Sequence, residues 1–251
     1  MYTGTLKNEV LRIGTAIVAI AAMYSLRYVR LGVSLWKDHY PHPYRTIDVD
    51  PSEIEYYGGQ FTNNPFRYGG TFSVAYYAGA TVRGGRWDNA KKSVTDLPKY
   101  TAVVDRYEKG IPWDETGIYD RILELAERGG SYDGCTTRAD VSRRYKEIDE
   151  LYTSIEGDGY SEDDSLDQVC VNIGRDGEII FNGNGNHRLF IAKVLSLNEI
   201  PVRVLVRHEE WMNRRKEIAD SSSVQALPES TRDYLDHPDL TDIAPEITAD
   251  H

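Results

Sequence analysis

An α+β fold, a small mixed β-sheet packed by helices with an α+β extension ahead of it, is predicted by three patterns in the 251 residues. Ile148, Leu151, Tyr152 and Ile155 recur at helical spacing, which makes one face of ADVSRRYKEIDELYTSIEGDGY apolar and ends a helix near Gly157. In QVCVNIGRDGEIIF, Val169, Val171 and Ile173 alternate, Asp176-Gly177 supplies a tight turn, and Ile179 to Phe181 return as the second arm of a β-hairpin. Ile200, Val202, Val204 and Val206 then alternate through a third strand, with Pro201 at its start, where a missing N–H is tolerable. The order is helix, strand, turn, strand, loop, helix, strand.

The remaining chain divides around this core, residues 137–212. Residues 1–36 contain Ile13 to Leu26, fourteen residues without a charge between Arg12 and Arg27. That is short of the roughly 20 needed to cross a bilayer and reads as a packed or interfacial helix, available for membrane contact. Glu9 in the would-be basic flank argues against a signal peptide. Residues 37–136 form an irregular α+β accessory region. It holds a short strand over Thr71 to Tyr77, a Gly84-Gly85 turn and a helix from Leu97 to Lys109. A further helix carries Ile118, Ile122, Leu125 and Ala126 and stops at Gly129-Gly130. Two Trp-Asp pairs, Trp87-Asp88 and Trp113-Asp114, read as core anchors, with lining of a substrate pocket as the alternative. Residues 213–251 are polar, and from Ser221 onward Ser, Asp and Pro dominate, which predicts a disordered tail.

The formal charge is -11, from 40 acidic and 29 basic residues, so no overall positive field gathers nucleic acid. Only Arg143-Arg144 with Lys146, and Arg214-Arg215-Lys216, offer basic patches. Arg outnumbers Lys 20 to 9, and an acidic, lysine-poor surface fits a salt-adapted, halophilic host. Cys135 and Cys170 stand apart without metal spacing and read as small buried hydrophobes, so zinc is not expected, nor haem. The acidic run Glu162-Asp163-Asp164 reads as a solvated charge cluster, with cation binding as the alternative.

The candidate site is the loop in FNGNGNHRLFIAKV. It runs from a strand to a helix, so Asn186 is placed to cap the helix while His187 and Arg188 occupy its first turn. The opening amides lack internal partners, and the helix dipole adds positive charge there. Gly183 and Gly185 allow close backbone approach, and Arg188 offers a fork matched to phosphate oxygens. Gly183, Gly185, Asn186, His187 and Arg188 are therefore the candidate phosphate-binding residues. His187 and Glu178 are the candidate catalytic groups. The competing reading makes Asn186 a plain cap and pairs Arg188 with Glu178 across the hairpin.

At these residues the sequence resembles the ParB/sulfiredoxin-like superfamily. Its members carry a strand, an acidic-Gly turn, a second strand, a G-x-H-R or G-x-R-R loop opening a helix, and an IPV strand, here IGRDGEIIFNGNGNHRLFIAKVLSLNEIPVRVLV. The upstream half resembles archaeal and bacterial proteins combining GGRWD, WDETGIY and RHEEW with such a core. The first resemblance implies nucleotide or phosphate binding at the turn, with ATP or CTP and Mg²⁺ as cofactors and a phosphotransferase or NTP hydrolase as the activity. Asn186 stands where sulfiredoxins have a cysteine, which removes the thiol their chemistry needs. The arginine-rich box of the CTP-using relatives is reduced to Arg188. His208 and Trp211 are placed either to close over the phosphate or to cover the sheet. A cytoplasmic protein is expected. A ParB-like nucleic-acid-binding protein or nuclease, and a non-catalytic anion-sensing or partner-binding module, are the alternatives.

Overall fold

The computed structural model describes residues 25, 29, 31–43, 45–58, 81–128, 133–161 and 168–243. The strand expected over Thr71 to Tyr77, Gly129-Gly130, Glu162 to Asp164 and, apart from Ser25, the apolar run Ile13 to Leu26 lie outside these residues.

The hairpin forms where alternation and the turn place it. β5 (Cys170–Ile173) and β6 (Ile179–Phe181) pair antiparallel, Val171 opposite Phe181 and Ile173 opposite Ile179. The turn closes by Gly177 N–H donating to Gly174 O at 3.2 Å, with Gly177 at φ 81°. A Cβ there would meet the Trp211 ring at 2.7 Å, so the turn glycine serves packing as well as conformation.

Among the described residues, seven strands make one mixed sheet, ordered β1, β7, β5, β6, β2, β4, with β3 off this path on β7. β7 (Ile200–His208) runs parallel to β5 on one side. Its other side is shared by β1 (Thr46–Val49), antiparallel along the first half, and β3 (Thr81–Arg83), parallel along the second. β2 (Tyr56–Gly58) lies parallel to β6 and carries β4 (Lys91–Ser93) antiparallel at the edge. The accessory region thus contributes four strands to the sheet, and the division expected at residue 137 separates nothing structurally. The sequence hid this because those strands are three or four residues long, too short for alternation to register.

Among the described residues, five helices of nine or more residues accompany the sheet: α1 (Pro98–Tyr107), α2 (Ile118–Glu127), α3 (Arg138–Asp158), α4 (Asn186–Val194) and α5 (Glu209–Ala219). α3 begins in a capping box, with Thr137 Oγ1 accepting from Asp140 N–H and the Asp140 carboxylate accepting from Thr137 N–H. Gly159, at φ 83°, follows its end. α4 leaves β6, crosses β5 and delivers the chain to β7, packing against α1 and α3. Leu189, Phe190, Ile191 and Ala192 are all fully buried, so α4 is a core helix. Burial of each large apolar side chain contributes roughly 1.5–3 kcal/mol, which fixes the position of its N-terminus.

Both Trp-Asp pairs make contacts within the fold. Trp113 is buried and donates to Asp149 Oδ1 at 2.9 Å, where Arg106 and Tyr107 also converge. Asp88 receives Arg175 through Nε and Nη2, both at 2.8 Å, tying the Trp87 turn to the hairpin turn. These hydrogen bonds hold the Asp88 carboxyl at about 2. Cys135 and Cys170 are buried and unpaired.

Residues 213–243, expected to be disordered, are folded; residues 244–251 lie outside the described ones. After α5 the chain passes through α6 (Glu229–Arg232) and buries Leu227, Leu240 and Ile243. Its anchor is Asp239, fully buried. The carboxylate accepts from Arg207 Nη2 at 2.5 Å and Trp211 Nε1 at 2.9 Å and lies 3.3 Å from Arg215. Burial alone would raise this carboxyl, but Arg207 and Arg215 override it and hold it well below the usual carboxylate range. Composition missed the segment because one buried carboxylate, clamped from distant parts of the chain, substitutes for a long apolar run. Asp239→Ala leaves two buried guanidinium groups without their shared counter-charge, and is expected to cost roughly 3–5 kcal/mol in urea denaturation.

Candidate functional site

The loop between β6 and α4 folds back along the lead-in to β5. Asn182 N–H donates to Cys170 O at 2.9 Å and Cys170 N–H to Asn184 O at 3.2 Å. The three asparagines staple this path. Asn182 Nδ2 donates to Asn172 Oδ1 at 3.4 Å, Asn184 Nδ2 to Gln168 O at 2.9 Å, and Asn186 Nδ2 to Gly183 O at 2.6 Å. The asparagines therefore hold the loop's shape.

Gly185 precedes α4 in the left-handed region, φ 77°. A Cβ on it would fall 2.7 Å from Val169 Cα and 2.8 Å from Val169 N, which are main-chain atoms. Glycine is required by this crossing as well as by the positive φ. Gly183 also has positive φ, 107°. The expected capping by Asn186 is corrected: Asn186 is the first helical residue, Gly185 holds the cap position, and no side chain caps α4. Its first turn opens onto a cleft of about 420 Å³ lined by Gly183 to Arg188 from the loop and helix, Arg144, Glu147 and Leu151 from α3, and Asp133.

His187 and Arg188 take opposite roles in that first turn. His187 is 93% buried by its 7% exposure, with its ring 5.9 Å from Tyr145 and nearly perpendicular to it. Burial, and then the nearby Lys99 charge, push its imidazole down to about 3. That favours the neutral imidazole, which offers one hydrogen-bond donor and one acceptor. Its Nε2 lies 4.0 Å from Asp133 Oδ2, while Lys99 Nζ holds Asp133 Oδ1 at 2.5 Å. Arg188 lies over Tyr160, its Cζ 5.9 Å from the ring centroid. Arg144 enters from α3, paired with Glu147 at 3.0 Å.

Glu178 is not in this site. It pairs with Lys91 and faces a separate depression with Asp88, Arg175 and Asp176, so neither its catalytic role nor its pairing with Arg188 is found. The physical reason is direction: Glu178 follows the turn at the far end of β6 from the loop. His208 and Trp211 are not among the cleft's lining residues. His208 caps α5 and donates to Gly85 O at 3.0 Å, and the buried Trp211 packs 4.5 Å from the His237 ring. Conversely, Asp133, Lys99 and Arg144 join the site without having been singled out for it. The Asp133-Gly134 dipeptide was the available signal, and both residues have positive φ.

Among the described residues, no group of three or more His, Cys, Asp or Glu side chains is arranged to hold a metal ion. Nor is any helix among them long and apolar enough to cross a membrane. Compared with protein-family models, curated proteins and solved structures, the chain matches none.

Gly185→Ala tests the local architecture. Positive φ costs roughly 1–2 kcal/mol for a non-glycine residue, and displacement of the Val169 main chain adds to it. A loss of about 3 kcal/mol in thermal or urea unfolding is expected, against less than about 0.5 kcal/mol for a surface control such as Lys92→Ala.

Proposed function

We propose that the cleft before α4 binds a small phosphate-bearing molecule, a nucleotide such as ATP or CTP or a phosphorylated metabolite. One observation carries this reading: an uncapped helix N-terminus opens into a cleft that also receives Arg188 and Arg144. Helix amides and dipole favour an anion at that position, and guanidinium groups bind phosphate oxygens through two parallel hydrogen bonds. The volume, about 420 Å³, falls in the range of small-ligand sites. Mg²⁺ enters as the companion of nucleotide phosphates.

The enzymatic form of the reading is phosphoryl transfer or hydrolysis. Arg188, Arg144 and the opening amides of α4 would neutralise charge, with His187 as a neutral hydrogen-bonding group. The nucleic-acid alternative has less support because several cations of the basic patches already face carboxylates. Arg143 pairs with Asp140 at 2.9 Å, Arg215 is buried on Asp239 and Asp242, and Lys216 pairs with Asp220.

Calorimetric titration with inorganic phosphate, ATP, ADP and CTP, with and without Mg²⁺, tests the proposal. At least one ligand is expected to bind and to stabilise the fold by about 2.7 kcal/mol at 100 times its Kd. Arg188→Ala should weaken that ligand roughly tenfold or more, the worth of a charged hydrogen bond. No binding by any of them, or binding indifferent to Arg188→Ala, would contradict the reading.

A further inference from the structure

Two buried polar atoms in the residues lining the cleft have no hydrogen-bond partner within the protein, His187 Nε2 and Asp133 Oδ2. They face each other at 4.0 Å, beyond direct hydrogen bonding. Both side chains are held. Lys99 Nζ, itself buried, is bonded to the other Asp133 oxygen at 2.5 Å, and the imidazole packs edge-on against Tyr145. Closing the gap would pull Asp133 from Lys99 or the ring from Tyr145. Leaving a buried donor or acceptor unsatisfied costs about 1–3 kcal/mol each, so the pair is arranged for a third group.

Geometry and donor count define that group. A single oxygen about 2.8 Å from each atom spans a 4.0 Å gap. It must donate to the carboxylate and, with His187 in its Nε2–H tautomer, accept from the imidazole. A hydroxyl does both, whereas an ionised phosphate or carboxylate oxygen cannot donate and an ammonium cannot accept. The position is also close to the anion site, because His187 belongs to the first turn of α4 and one turn spans only about 5.4 Å.

We propose that the cleft takes a phosphate ester that also bears a free hydroxyl, a polyol or sugar phosphate, with the hydroxyl between His187 and Asp133 and the phosphate at the start of α4. The proposal rests on the phosphate reading above and adds the ligand class. Lys99 acts as a positioning residue, turning Asp133 Oδ2 toward His187.

The test compares matched ligands on the unaltered full chain by isothermal titration: glycerol 3-phosphate, propyl phosphate, which lacks the hydroxyls, and inorganic phosphate. Glycerol 3-phosphate is expected to bind at least roughly tenfold tighter than propyl phosphate, as for a hydrogen bond to a charged group. In His187→Phe that preference should shrink to about threefold or less. Equal affinity for the two esters overturns the hydroxyl assignment and leaves phosphate binding standing. Binding by none of the three overturns both. The ester comparison needs no variant, so misfolding of His187→Phe cannot rescue the proposal.

Discussion

Everything at the candidate site depends on one close crossing of main chain, where the loop before α4 passes over the lead-in to β5 at Gly185. Gly185 lies so near Val169 that no side chain fits between them. Two main-chain hydrogen bonds and the Asn184 side chain lock the crossing. The helix that follows is buried on nearly every side, so its N-terminus is aimed once and cannot relax. An anion site made of amides is useful only when the amides do not move, since preorganisation spares the ligand the cost of ordering them.

Around that fixed point, charges are arranged by depth. Exposed carboxylates and guanidinium groups pair at the rim, as Arg144 does with Glu147, and such pairs contribute little to stability. Deeper, Lys99 and Asp133 form a shielded pair beside the neutral His187. A second buried charge cluster, Asp239 with Arg207 and Arg215, holds the C-terminal segment against β7 and α5. The two clusters use similar residues to different ends. Around Asp239 the carboxylate oxygens are all engaged within the protein, whereas at His187 and Asp133 two facing atoms are left over.

Much of this was legible in the residues, and the exceptions have physical causes. The hairpin, α3, α4 and β7 follow from periodicity because each presents a regular apolar face. The Trp-Asp turns and the short strands β1 to β4 did not show their place in the sheet, because their partners are remote and their lengths defeat pattern reading. At the site, the Gly-rich run before His187 and Arg188 marked the right loop. Asn186 was misassigned because a left-handed Gly185 takes the cap position one residue earlier. Asp133 and Lys99 were invisible because their importance arises only from where α1 and the segment before α3 meet His187.

The state of the His187 ring tests the account most directly, because burial beneath an uncapped helix end favours the neutral imidazole. The unfolded chain protonates this group near 6.5, while the folded protein holds it at about 3. The unfolded state therefore binds more protons between those values, and the group's contribution to stability falls as pH drops from 6.5 toward 3. Two-dimensional NMR of the ¹⁵N-labelled imidazole across that range is the decisive measurement. The account predicts a ring that stays neutral at pH 5 and whose ¹⁵N shifts respond to added phosphate. A ring that titrates near 6.5, indifferent to phosphate, would contradict it.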